Sequence, residues 1–467
     1  MFIKQLYTGC LSEATYYIES NGEAAVIDPL RDTDEYLQLA TERNATIKYI
    51  FETHFHADFV SGHLDLSKKT GAPIIYGPKT ETNFEVHIAK DGALFRLGNI
   101  SIKVLHTPGH TLESSCYLLK DENGKDHAIF TGDTLFAGDV GRPDLSSGNL
   151  SKEALAGIMY ETIQHKILPL ADDVLVYPAH GAGSSCGKNL GPNTYSTIGE
   201  EKKNNYALQL QTKDAFIKII TDGLADTPRY FSINALINKE GYESLEKVKA
   251  KALTALGVGD FKNKMKGDVT VLDTRSAAIF VDGFVPGSIF IGLEGRFAEW
   301  AGSILSFTRP LLLITEPGKE EETVIRLVRV GFSKFAGYLA GSFDAWIEAG
   351  EKADMIISVE PDELAMDIPH DKNLLAVDVR KENEFAEGHI KGAINMPLSD
   401  MTDTAMIAGF EENQNLYVYC GGGYRSVIAS SLIKKQGLHN LRNVIGGWAK
   451  IKEEKKIKAE KDMSVFN

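Results

Sequence analysis

Two kinds of apolar pattern punctuate the chain. Short β-rich runs stop abruptly at loops that carry chemistry: Ile47-Lys48-Tyr49-Ile50-Phe51 runs into Thr53-His54-Phe55-His56, and Tyr417-Val418-Tyr419 runs into Cys420 and three glycines. Runs of that length, rich in Ile, Val, Tyr and Phe, read as buried strands that deliver their ends to a loop. Elsewhere the spacing is helical. Residues 200–211 predict a polar helix, 213–223 carry Phe216, Ile217, Ile219 and Ile220, and 242–256 end at Gly257-Val258-Gly259. After the Cys420 loop, Val427, Ile428, Ser431 and Leu432 share one face of a predicted helix that Gly437 ends.

The first of these strand ends leads into Thr53-His54-Phe55-His56-Ala57-Asp58-Phe59. Three further groups follow it: Thr107-Pro108-Gly109-His110, Thr131-Gly132-Asp133-Thr134 and Tyr177-Pro178-Ala179-His180. Imidazole and carboxylate donors suit zinc or iron, so donor type alone does not name the metal. Two imidazoles and one carboxylate with open positions form the facial triad of non-haem Fe(II) sites. His54, His110 and Asp133 would make that triad. Phe59 closes the cluster with an apolar ring, which disfavours a bare divalent charge beside it. His63 and His106 lack motif support and read as core or surface histidines.

This constellation resembles the metal signature of the metallo-β-lactamase superfamily and, within it, the persulfide dioxygenases of the ethylmalonic-encephalopathy protein type, over roughly the first 240 residues. The resemblance implies an αββα sandwich and one Fe(II) per chain, held by His54, His110 and Asp133. His56, Asp58 and His180 would orient ligands and bound water through hydrogen bonds. Phe59 departs from the family's H-x-H-x-D-H loop, which counts against two-metal chemistry. Cys186, a few residues beyond His180, is a possible substrate thiol or a small buried cysteine. Cys10 and Cys116, in apolar strand-like contexts, look structural.

At the other end, Cys420-Gly421-Gly422-Gly423-Tyr424-Arg425 predicts strand, tight loop and helix. Glycines let backbone N–H groups turn inward, and a helix N-terminus and Arg425 add positive potential around the sulfur. Such surroundings keep a thiolate or persulfide anion ready. The segment resembles the rhodanese active loop, which carries sulfane sulfur as a cysteine persulfide. Val377-Asp378-Val379-Arg380, Glu387-Gly388-His389-Ile390-Lys391-Gly392-Ala393 and Ile445-Gly446-Gly447-Trp448 match that family's other elements.

A shift of 105 residues lays Asp273 on Asp378, Arg275 on Arg380, Gly283 on Gly388, Gly287 on Gly392, Ile289 on Ile394 and Gly341 on Gly446 without a gap. The same offset puts Thr315 under Cys420 and Glu320 under Arg425. A threonine hydroxyl stays protonated at neutral pH and holds no transferable persulfide, so the first copy is expected to be inactive and its role structural. The expected class is α/β multidomain: a metallo-β-lactamase sandwich over 1–255, then two rhodanese-like α/β domains with parallel sheets, an inactive one over 256–354 and an active one over 355–467.

Composition adds a few exclusions. A length of 467 residues suits about three domains. Four cysteines are too few for a disulfide scaffold, and a net charge of −14 argues against a nucleic-acid partner. No apolar run is long enough to cross a bilayer, so a cytoplasmic protein with no membrane partner is expected. The mixed charges of 452–461 read as a solvated helix or a frayed end.

The resemblances together imply an enzyme that takes a low-molecular-weight thiol persulfide and O2 to sulfite, and moves a second sulfane sulfur through Cys420 to make or use thiosulfate. They also imply a homo-oligomer. The carrier thiol stays open among glutathione, coenzyme A and others. Two other readings stand beside this one: a metal-dependent thioester hydrolase of the hydroxyacylglutathione type fused to a sulfurtransferase, and a non-catalytic sulfur-binding or sensing protein.

Overall fold

A computed structural model of the chain describes residues 1–145, 150–209 and 212–462. They fall into two units: Met1–Lys247 together with Ile325–Ser333, and Val248–Val324 together with Lys334–Asn467.

The first unit is built on two six-stranded sheets. One runs in the order Phe2–Thr8, Glu13–Ser20, Glu23–Ile27, Thr46–Phe51, Ile74–Tyr76, His87–Ile88. The other runs Ser196–Thr197, Leu175–Pro178, Asp126–Gly132, Ser115–Lys120, Ile100–His106, Leu94–Leu97. Alternate residues of each strand meet between them, where Tyr16, Phe51, Ile102, Tyr117 and Phe130 form the central core. The opposite faces are covered by helices. Tyr36, Leu39 and Leu66 cover Val26 and Ile50 on one side, and Met159, Phe216 and Ile220 cover Ile129 and Val176 on the other. The result is the expected αββα sandwich. Thr46–Phe51, Asp126–Gly132 and Leu175–Pro178 all end at one edge of it, beside the loops that carry His54, Asp133 and His180.

The second unit holds two five-stranded sheets of the same topology. The orders are Ala255–Leu256, Phe335–Leu339, Leu311–Ile314, Thr270–Asp273, Ile289–Phe290 and Ile357–Val359, Leu441–Val444, Asn415–Tyr419, Leu374–Asp378, Ile394–Asn395. Every pairing within both is parallel. The 105-residue repeat is therefore a repeat of fold. In each copy the D-x-R arginine grips its own aspartate and a glycine carbonyl: Arg275 binds Asp273 and Gly283, and Arg380 binds Asp378 and Gly388, with closest contacts of 2.6 Å to each aspartate. Buried to the same degree in the copy with Cys420 and in the copy with Thr315, this fork serves the fold.

Several local expectations change. The helix Tyr424–Lys435 is buried on all sides from Ser426 to Ile433, since it lies between its own sheet and the neighbouring copy, where Ser431 Oγ accepts Phe290 N–H at 3.0 Å. The polar helix ends early, at Ile198–Asn204, and residues 210–211 of its predicted span lie outside the described residues. The tail forms a strand pair, Ala459–Glu460 against His389–Ile390, rather than a solvated helix. Cys10 sits in a turn, not a strand. An unpredicted helix, Tyr230–Glu240, turns Asn234 and Asn238 inward. Among the described residues no helix is long and apolar enough to cross a membrane.

Candidate metal centre and sulfur loop

His54, His110 and Asp133 converge in the first unit with one ligand atom each within 4.8 Å of the others, all buried. Asp133 Oδ2 lies 3.7 Å from His54 Nε2 and 3.5 Å from His110 Nε2. These separations exceed a hydrogen bond and fit one ion at about 2.0–2.2 Å from each donor.

The remaining atoms of the three side chains are all committed. His110 Nδ1 faces the Arg142 carbonyl at 2.7 Å, so it donates there and leaves Nε2 as a lone pair. His54 Nδ1 lies 2.9 Å from Thr53 Oγ1, which donates to Asp28 Oδ2 at 2.8 Å; the chain runs imidazole to hydroxyl to carboxylate. Asp133 Oδ1 accepts from His180 Nδ1 at 2.8 Å. Asp133 Oδ2 is buried without a hydrogen-bond partner, as are Asp58 Oδ1 and both nitrogens of His56 nearby. A buried carboxylate oxygen left open between two imidazole lone pairs is costly unless a cation takes it up, so the donor set fits a metal.

The electrostatics agree. Burial opposes ionisation of Asp133, yet the charge on His180 and its hydrogen bond hold the carboxyl far below the usual range. His54 is kept neutral by burial and by His56 beside it. His180 is also buried, but the carboxylates of Asp133 and Asp58 lift its pKa well above the ordinary histidine value; its Nε2 meets Asp58 Oδ2 at 2.7 Å.

His180 and Asp58 thus sit against Asp133. His56 is placed differently from the expectation that it orients a ligand through a hydrogen bond. Its ring stacks on Phe59 and meets His54 at a tilt, with centroids 4.2 Å from each, and its Nε2 lies 3.1 Å from Asp28 Oδ1, but it has no hydrogen bond of acceptable geometry. It shares a buried group with Asp28 and Glu52. Burial, and then Asp28, push the Glu52 carboxyl up. Phe59 is fully buried against His56. Cys186 lies with Asp58 and His180 in a further three-donor group. Burial, and then Asp58 and Asp133, raise its thiol pKa well above normal, which keeps it protonated. His63 is a core residue stacked on Phe84, and His106 bonds the Leu112 carbonyl at 2.9 Å.

Sequence reasoning missed Asp28, Thr53, Arg142 and Asn238. Asp28 closes a strand in the left-handed region at φ +52°, a conformation an aspartate tolerates, and receives both Thr53 N–H and Thr53 Oγ1. Asn238 Nδ2 spans the carbonyls of His56 and Phe59 at 2.8 Å each and pins the loop. Ile325–Ser333 pins it again: Arg329 forks onto Asp32 at 2.8 and 2.6 Å, and its carbonyl accepts Val60 N–H at 2.7 Å. The Ala24–Ile27 run ending at Asp28 was the one available signal; Arg142 acts through its backbone, which no side-chain motif reveals.

In the second unit Cys420 is buried at its strand end and Sγ receives Gly423 N–H at 3.1 Å. Ser426 Oγ, 3.6 Å from Sγ, bonds Asn443 Oδ1 at 2.6 Å. The closing G-G-W turn caps the loop from behind: Trp448 N–H and Ala449 N–H reach the Cys420 and Gly421 carbonyls at 2.6 and 3.0 Å. Gly447 sits there at φ +55°, and any Cβ on it would overlap the Cys420 carbonyl. Tyr424 donates its hydroxyl to the Gly292 carbonyl of the other copy at 2.7 Å. Arg425 is forked onto Glu384, Nη1 at 2.6 Å and Nη2 at 2.8 Å, so its charge is met by a carboxylate rather than left to the sulfur. In the first copy Thr315 is buried at the matching strand end and Glu320 opens the helix.

Comparison with known proteins follows this division. The metallo-beta-lactamase superfamily model matches residues 8–180, and the rhodanese-like domain model matches 258–349 and 360–454. A solved metallo-beta-lactamase structure from Staphylococcus aureus is 33% identical, with a TM-score of 0.65, and covers 73% of this chain and 98% of its own. The human mitochondrial persulfide dioxygenase ETHE1 is 29% identical over 47% of this chain and 80% of its own length. Glyoxylase B2 of Dictyostelium discoideum is 30% identical over 45% and 74%. A hydroxyacylglutathione hydrolase of Schizosaccharomyces pombe, described as probable, is 31% identical over 35% of this chain; the chain spans 60% of that relative's length.

Proposed function

The chain belongs to the metallo-beta-lactamase superfamily and carries two rhodanese-like domains behind its metal domain, and from that premise we propose that it is a persulfide dioxygenase and sulfurtransferase. We divide it at 1–255, 256–354 and 355–467. The observation that carries the reading is the open Asp133 Oδ2 between two imidazole Nε2 atoms whose partners are otherwise fixed. Two nitrogens and one carboxylate oxygen are the donor set of a mononuclear non-haem Fe(II) site. An iron held by His54, His110 and Asp133 would supply the dioxygen activation needed to oxidise the sulfane sulfur of a thiol persulfide to sulfite.

The protein's own groups fix that site. The Thr53–Asp28 relay and the Arg142 carbonyl set the two imidazole tautomers, and the His180 bridge holds Asp133 by one oxygen while Asp58 holds His180. In the second unit the Cys420 thiolate takes the outer sulfur of a persulfide or of thiosulfate, and Gly423 N–H meets the developing anion. Sulfite made at one site is the acceptor that the other converts to thiosulfate. The middle copy, with Thr315 and Glu320, supports the active one and transfers nothing.

A second reading, a thioester hydrolase with two metals, is favoured by the group Asp58, His180 and Cys186. Against it, both His180 nitrogens already meet carboxylates. Metal analysis of protein purified without air, paired with oxygen uptake on a small-thiol persulfide, separates the two. One iron per chain and persulfide-dependent uptake that His110→Ala abolishes are expected. Two metals per chain with thioester cleavage and no oxygen uptake would overturn the dioxygenase. Cys420→Ser should stop thiosulfate formation and leave oxygen uptake intact.

A further inference from the structure

The Arg425 and Glu384 pair is unusual for a loop meant to receive anions. Both terminal nitrogens of the guanidinium are taken by one carboxylate, in a parallel fork that is among the stronger ion-pair geometries. The pair lies against the loop itself: a Cβ at Gly421, next to the reactive cysteine, would stand 3.0 Å from Arg425 Nη2 and 3.9 Å from Glu384 Oε1. Neither side chain is sealed in, with 21% of Arg425 and 33% of Glu384 exposed, so an arriving substrate meets both. The altered copy offers an internal control. At the 105-residue offset it has Thr315, Glu320 and Ile279 in place of Cys420, Arg425 and Glu384, so the nucleophile, the cation and the anion are absent together.

Resting on the sulfurtransferase reading above, we propose that Glu384 sets the charge preference of the Cys420 loop: it cancels Arg425 and so withholds from the thiosulfate dianion the advantage that a bare arginine would give it over monoanionic organic persulfides as sulfur donors. With an organic persulfide, the Cys420 thiolate forms a bond to the outer sulfur, the donor's S–S bond breaks, and the carrier leaves as a thiolate with the bonding pair. With thiosulfate the same exchange releases sulfite. Neither exchange needs an outside oxidant or reductant. The two donors differ by one charge, and a donor's attraction to the loop scales with its charge times the net charge there. A neutral pair treats them nearly alike; an uncompensated arginine rewards the dianion.

The test is the rate of sulfur loading on Cys420 in the full-length protein, read by mass of the Cys420 peptide, with thiosulfate and with 2-hydroxyethyl persulfide. For Glu384→Gln, which keeps the side chain's size, loading by thiosulfate should rise about tenfold and by the persulfide about threefold. The gain should fade near 1 M salt, where screening is short-ranged. Glu384→Ala gives the same comparison should the glutamine variant not fold. An unchanged selectivity ratio, or an equal loss with both donors, would mean that Glu384 merely holds Arg425 in place and overturns the inference. A wild-type protein that loads no sulfur from either donor would sink the transferase reading as well.

Discussion

Replacing Thr53 with valine tests whether the hydroxyl relay behind His54 builds the metal site. Valine keeps the shape of threonine, and shape matters because Thr53 is packed so closely that a Cβ on Gly132 would stand 2.5 Å from its Oγ1. The change strips one hydroxyl from between two buried groups, leaving His54 Nδ1–H without an acceptor and Asp28 Oδ2 without a donor. Each orphaned group costs about 1–3 kcal/mol, so the metal-free protein should lose about 2–6 kcal/mol on urea unfolding. Freed from its acceptor, the ring no longer has a fixed tautomer, and metal affinity should fall about 10–100-fold, or about 1.4–2.7 kcal/mol. Thr53→Ser restores the hydroxyl and should recover most of both losses. Chelator competition under nitrogen reads the affinity, and sulfur loading at Cys420 reports that the remainder of the chain is intact. Should the valine variant hold its metal within twofold of wild type, the relay has no part in the site.

Gly141→Ala should weaken metal binding similarly, because its Cβ would overlap the Asp133 carbonyl and come within 3.0 Å of His110 Nδ1; metal content after dialysis checks this. His63 is held neutral by burial, its pKa lowered to about 3, while the unfolded chain titrates near 6.5. Between those values the unfolded state binds the extra proton, so the contribution of His63 is full above pH 6.5 and is lost as pH falls toward 3. Unfolding midpoints from pH 7.5 to 5 should drop less steeply in His63→Gln than in wild type; parallel slopes would contradict this assignment. Restoring Cys and Arg in the middle copy, Thr315→Cys with Glu320→Arg, is uninformative when silent, but sulfur loading by Cys420→Ser protein with its native middle copy would refute that copy's inactivity.

The candidate donors were legible because His54, His110, Asp133 and Cys420 are residue types suited to metal or sulfur chemistry and stand at strand ends, where local motifs show them. The supports were not. Asn238 fixes the His54 loop from 184 residues away in sequence (238 − 54), on a helix whose buried face includes two asparagines and therefore breaks the apolar period that reveals helices. Glu384 follows the D-x-R element by four residues and has no spacing relation to the loop it neutralises. The helix after Cys420 was read as one-sided because periodicity cannot see a second covering layer. For the tail, charge alternation described its solvent face and said nothing of the two-residue edge at His389–Ile390 that it joins.

The helix that follows Cys420, covered all round and tied to Phe290 through Ser431, makes the first copy part of the second copy's packing. Cut away from the first copy, the cysteine-bearing repeat would lose the bond from Phe290 N–H to Ser431 and that from the Tyr424 hydroxyl to the Gly292 carbonyl, and with them two of the anchors at either end of its central helix.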